Sequence, residues 1–141
     1  MDLPKNSIRG VKMKLLENIL RFENHFENAK KLTEKDIADY LVYNTLAMEC
    51  FQAVNALIEI GEYIVTKKRF GFPSTYREIF ELLHRNQMMV DEIFNATKRL
   101  MFLRNLIAHE YYKIKEDELA EIVKLLDIVK DFVQKAKEVE K

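Results

Sequence analysis

Arg104-Asn105-Leu106-Ile107-Ala108-His109-Glu110-Tyr111 sets an arginine, a histidine and a tyrosine in one short run with apolar residues between them. A guanidinium can grip a phosphate through two parallel hydrogen bonds. Imidazole is the side chain best suited to moving protons near neutral pH. Together they are the minimum for cleaving a phosphodiester without a metal, so Arg104 and His109 are the candidate catalytic pair. Asn105 is a supporting candidate that could orient a phosphate or a base. A cap or a backbone bond is an equal use for it.

Spacing complicates this chemistry. Five positions apart on an ideal helix is about 140° around the axis, so Arg104 and His109 do not share a face. Arg104 and Tyr111, seven apart, nearly do. Either the helix unwinds near His109, or the two residues flank a groove completed by a two-fold mate, which would bring two Arg104 and two His109 together. On spacing alone, ordinary polar contacts of a surface arginine and of a histidine near a helix end are the commoner outcome.

The elements that must position these residues are helices. Gly 3 and Pro 2 leave few breakers, which argues against a many-turned sandwich or barrel. After a cap at Asn6 or Ser7, Ile8, Val11, Leu15, Ile19, Phe22 and Phe26 form one stripe at spacings of three and four. Thr33 is the expected cap of a second, long helix with Asp36 in its first turn, running through Ile37, Tyr40, Ala47, Cys50, Val54, Leu57, Gly61 and Ile64. Gly61 costs stability inside a helix, which suggests a close crossing. Lys67 to Pro73 is the one clear loop. Thr75 with Glu78 reads as a capping box opening a short third helix from Tyr76 to about His84. A fourth carries Val90, Ile93, Phe94, Thr97, Leu100, Met101 and Ile107 into the motif. Glu116, Asp117 and Glu118 suit the start of a fifth.

The expected fold is therefore all-α, one domain over 1–141, an antiparallel four-helix-type bundle with an additional short helix. Apolar residues spill beyond one stripe at Leu46, Met48, Phe51, Ile58, Met88, Met89, Phe102 and Leu103. That surplus predicts a second buried face and hence a homodimer.

Basic and acidic residues balance at 23 each. A broad, sequence-independent nucleic-acid binder is normally basic, so any nucleic-acid contact must be local or shared with another chain. Cys50 is the single cysteine, which excludes an intrachain disulfide and fits a reducing cytoplasm. Met1 to Lys14 lacks the apolar core of a signal peptide. Leu41 to Val65 is broken by Asn44, Glu49, Gln52, Asn55, Glu59 and Glu62, short of the ~18 apolar residues of a membrane span. His25, His84 and His109 show no paired spacing, so no metal site is expected. His84 reads as structural and His25 as solvated. Lys67-Lys68-Arg69 with Phe70 and Phe72 could contact RNA, though a solvated loop with its aromatics tucked onto the bundle is the commoner use of such a run.

The run Phe102 to Tyr111 resembles the R-x4-H-x-Y signature of the HepT-like (DUF86) branch of the HEPN superfamily. Gly71 to Phe80 looks like that family's loop-to-helix segment, and Cys50 to Ala56 like its long second helix. The resemblance implies a helical homodimer that is the toxin of a type VII-like toxin–antitoxin pair, a metal-independent ribonuclease needing no cofactor. It also implies a partner, a minimal nucleotidyltransferase (MNT) antitoxin that transfers AMP to the motif tyrosine, here Tyr111. Tyr112 is an adjacent rival acceptor. In that setting His109 would take the proton of a ribose 2′-hydroxyl, which requires RNA, a tRNA or an mRNA. Arg104 would stabilise the charge on the phosphoryl oxygens. A second His109 would protonate the leaving oxygen, and AMP on Tyr111 would plug the groove. The alternative is a non-catalytic substrate- or nucleotide-binding subunit of such a nucleotidyltransferase.

Overall fold

The computed structural model describes residues 4–139, with side chains from residue 14 onward except that of Tyr112. Five helices succeed one another: α1 (Pro4–Leu32), α2 (Tyr40–Lys68), α3 (Tyr76–Arg85), α4 (Asp91–Glu110) and α5 (Glu116–Ala136). A single 3-10 turn, Tyr111–Lys113, separates the last two. Among the described residues there is no strand, and no helix is long and apolar enough to cross a membrane.

On α1, Leu15, Ile19, Phe22 and Phe26 are buried as their spacing requires. The helix begins ahead of Asn6 and Ser7. The side chains of those two expected caps, and of Ile8 and Val11, lie outside the described ones. α1 runs antiparallel to α2. His25 Nδ1 meets Glu49 Oε2 at 2.6 Å, while Arg21 reaches Glu59 at 3.4 Å further along α2. His25 is thus not solvated as expected: the carboxylate of a neighbouring helix holds it half-buried.

The start of α2 also differs from expectation. Thr33 closes α1 instead, its hydroxyl donating to the Lys30 carbonyl at 2.6 Å. Asp36 accepts from the Ala38 amide in the connector, a local turn of the kind aspartate favours. Asp39 then caps α2, accepting from the amides of Leu41 and Val42 at 3.0 and 3.2 Å. Two aspartates outcompete one threonine whose hydroxyl is already used, and Ile37 falls in the connector.

α2 is the central helix, touching α1, α3, α4 and α5. Its Leu46, Ala53, Leu57, Ile60 and Ile64 are fully buried. Cys50 lies among them, its thiol pushed up to about 12 by burial, and so serves as inert packing. Gly61 marks the close crossing. A Cβ there would stand 2.9 Å from Ile79 Cγ2 and 3.3 Å from the Phe80 ring, so α3 rests on bare backbone.

α3 opens as read, Thr75 Oγ1 accepting from the Glu78 amide at 3.1 Å. The Glu78 carboxylate turns back to the amide and hydroxyl of Ser74, which hold it below its ordinary value. His84 joins α3 to α4. Its Nε2 lies 2.7 Å from Asp91 and its ring stacks on Phe94 at 4.2 Å, the structural role expected of it. Glu116, Asp117 and Glu118 occupy the first turn of α5, with Glu118 accepting from the Lys115 amide.

Candidate functional site

α4 stays helical through His109 and breaks one residue later, where Glu110 takes φ −139° and ψ 52°. Unwinding ahead of His109 therefore does not occur, and Arg104 and His109 keep their different faces. The half-buried Arg104 donates from Nε to Asn55 Oδ1 at 3.0 Å and from Nη1 to Asn105 Oδ1 at 3.1 Å. The second bond leans the guanidinium toward the side of α4 that carries His109.

Two aromatic rings flank the guanidinium, Phe51 of α2 at 5.1 Å and Tyr76 of α3 at 5.0 Å. Its acceptors are neutral amides, and among the described residues no carboxylate pairs with it. The positive charge is therefore fixed in place yet uncompensated. The Nη2 amino group and one Nη1 hydrogen remain for an anion. Ring faces add attraction to a cation without cancelling its charge.

His109 is exposed, and among the described residues it makes no hydrogen bond or ion pair. Four positions separate it from Asn105, seven from Phe102 and eleven from Lys98, so these four share one stripe of α4. Beyond His109, the Asn105, Phe102 and Lys98 of that stripe wall a cleft of 730 Å³ whose opposite side is Pro73 to Arg77.

Because the helix breaks at Glu110, Tyr111 does not continue the Arg104 face. Its hydroxyl donates to Asn44 Oδ1 at 2.5 Å, and its ring meets Tyr43 edge-on at 6.3 Å. Burial, with Tyr40 second, holds the Tyr111 phenol above its ordinary value. Tyr43 is raised first by burial and then by Tyr111, Glu116 and Glu118. Its hydroxyl donates to the Ile114 carbonyl at 2.6 Å, pinning the 3-10 turn to α2. The Tyr112 side chain lies outside the described ones.

Sequence reasoning missed Asn44, Phe51, Asn55 and Tyr76 as parts of this site. The signal was present. Asn44, Met48, Phe51 and Asn55 follow at spacings of four, three and four, one stripe of α2. Two of these were read only as interruptions of an apolar stretch. The same stripe fixes both ends of the motif, Tyr111 through Asn44 and Arg104 through Phe51 and Asn55.

Phe72 also departs from expectation. Phe70 is half-buried against the core, but Phe72 is 101 % exposed rather than tucked onto the bundle. Among the described residues, no three His, Cys, Asp or Glu side chains group as metal ligands.

A family model described as Ribonuclease HepT-like matches residues 15–136. A curated relative, the mRNA nuclease HepT of Shewanella oneidensis, is 24 % identical over 85 residues, which cover 60 % of this chain and 64 % of that one. Among solved structures, a tri-AMPylated HEPN toxin of Shewanella oneidensis in complex with an MNT antitoxin superposes with a TM-score of 0.78 at 18 % identity, covering 86 % of this chain and 94 % of that one. YutE of Bacillus subtilis, described as a cytosolic protein of unknown function, gives a TM-score of 0.81 at 15 % identity over 90 % of this chain and 88 % of its own.

Proposed function

The chain belongs to the HepT-like ribonuclease family, and from that premise we propose that it is a metal-independent endoribonuclease toxin acting as a homodimer in the cytoplasm. Arg104 and His109 are its catalytic residues and Asn105 supports them. The observation that carries this reading is the Arg104 guanidinium, charged and unpaired by any described carboxylate, on one helix with an exposed and unengaged His109.

His109 takes the 2′-hydroxyl proton, the 2′-oxygen attacks the adjacent phosphorus, and the bond to the leaving 5′-oxygen breaks. The products are a 2′,3′-cyclic phosphate and a 5′-hydroxyl, the proton for the latter coming from His109 of the second protomer. Arg104 faces the charge that gathers on the non-bridging oxygens. A structural adaptor would neutralise such an arginine with a carboxylate. A nucleotide-binding helper would set an apolar pocket away from it, whereas the cleft here is lined by Tyr76 and Asn105, the arginine's own neighbours.

Regulation follows from Tyr111. An MNT-type nucleotidyltransferase partner transfers AMP from ATP to its phenol oxygen, the α–β phosphoanhydride breaking and pyrophosphate leaving, which places a phosphodiester anion near the arginine. The acceptor is protonated and hydrogen-bonded to Asn44, so the partner must take up that proton and break that bond.

The test is cleavage of a labelled RNA by the unmodified protein with chelator present, beside His109→Ala and Arg104→Ala. Cyclic-phosphate ends from the parent and none from either variant are expected. An unmodified protein that cleaves no RNA, with Tyr111 free of AMP by mass, would replace this reading with the binding subunit. Transfer of AMP by the partner to the parent but not to Tyr111→Phe tests the regulatory half.

A further inference from the structure

The α4 stripe that ends at His109 leads away from it into the 730 Å³ cleft, passing Asn105, Phe102 and Lys98. Arg77 faces the same cleft from the first turn of α3, and neither it nor Lys98 pairs with a described carboxylate. Lys98 instead lies over the Phe94 ring at 4.9 Å, which leaves its charge uncancelled. Phe102 is 56 % exposed and Tyr76 44 %. A second hollow of 510 Å³ shares Glu62 and Pro73 with the first and carries the surface on to Arg69 and the fully exposed Phe72.

Cations alternating with exposed rings along a groove are what a single strand requires. Phosphates follow the charges and bases stack on the rings, with little dependence on sequence. The chain as a whole is neutral, so a local cationic strip answers the charge problem that composition posed. Glu62 is the one acid lining it and would repel a phosphate passing nearby.

Resting on the nuclease reading, we propose that the groove from His109 through Phe102 and Lys98 to Phe72 is the path of the single-stranded RNA that flanks the scissile phosphate. Arg77 and Lys98 hold its phosphates, and Phe72 stacks a base beyond the reacting site. Tyr76 joins path to chemistry, one ring contacting the Arg104 guanidinium and lining the cleft.

The test measures binding of a short, uncleavable 2′-O-methyl RNA carrying a fluorescent 2-aminopurine to the full chain over a range of salt. Phe72→Ala removes no contact from the core, so its effect is not one of folding. It is expected to weaken binding roughly ten-fold and to relieve the quenching of the base analogue. Arg77→Gln with Lys98→Gln should flatten the salt dependence by about 1.4 in log–log slope, the value for two single-strand phosphates. Glu62→Gln should tighten binding, a gain that damage cannot produce. In cleavage assays the Phe72, Arg77 and Lys98 variants should raise KM more than they lower kcat.

Variants that bind RNA as the parent does, while cleavage still needs His109, would overturn this path and leave the nuclease reading standing. So would variants that spare RNA binding but abolish association with a second copy or with the nucleotidyltransferase partner, which would make the groove a protein interface. A parent that cleaves nothing but loses RNA affinity through Phe72, Arg77 and Lys98 would uphold the path and sink the nuclease reading.

Discussion

An arginine that must hold a phosphate needs fixed position without lost charge, and Arg104 meets both demands through neutral partners. Asn55 is the residue on which that position depends most, since it anchors the Nε–H from a different helix. Replacing it by alanine is expected to leave the fold intact at a cost of about 1 kcal/mol in stability. Cleavage should fall up to ~10²-fold, because a small misplacement of a positioned group is enough for that. Single-turnover cleavage beside a thermal melt checks it. Arg104→Lys should not substitute, because an ammonium has neither the fork nor the flat face that Phe51 and Tyr76 flank.

The tyrosines beside the motif make a second prediction at this scale. Tyr43 and Tyr111 are both raised above the ordinary 10.0, by burial first, and both donate hydrogen bonds as neutral phenols. A raised folded value means their contribution is complete below pH 10 and is lost as pH climbs through the higher folded values. The stability gap between the parent and a Tyr43→Phe, Tyr111→Phe double variant should therefore be widest near pH 8 and shrink towards pH 12. Urea midpoints across that range measure it, and a gap that widens would contradict the assignment.

Among the elements, α2 does the positioning. Its 29 residues span about 43 Å, enough to hold α3 at one end, the Tyr111 turn at the other and Arg104 between. The α3 contact depends on Gly61. Gly61→Ala should gain ~1 kcal/mol of helix propensity and lose more, about 1–3 kcal/mol, by driving a methyl into Ile79 and Phe80. A net drop in the urea midpoint is expected. Because α3 carries Tyr76, RNA cleavage should fall with it.

For the whole molecule, the open face of α2 is the proposed seat of the second protomer. Leu41 and Met48, seven apart, are 72 % and 53 % exposed on the stripe that also carries Asn44 and Asn55. Apolar side chains left bare on the face that holds Arg104 favour a partner there. A two-fold axis across it would bring two Arg104 and two His109 to one phosphate. Met48→Glu is expected to yield a folded monomer by sedimentation equilibrium, with unchanged circular dichroism and no cleavage. A Met48→Glu protein that stays dimeric would move the axis elsewhere.

Helix number, the short α3, the capping box at Thr75 and Glu78, the crossing at Gly61 and the identity of the motif residues were all legible in the order of residues. Each is set by contacts a few positions apart, or by a period that one helix imposes on its own side chains. The α2 start was misread because Thr33 and Asp39 compete locally and only the finished end of α1 decides between them. The cradle of Arg104 was beyond sequence reasoning altogether. Asn55 lies 49 positions away from it, and the turn that sends Tyr111 to Asn44 spans 67. Residue types thus determined which chemistry is available. Packing of α2 against α3 and α4 decided that the arginine keeps its charge, that the histidine stays exposed, and that the tyrosine hydroxyl bonds to Asn44.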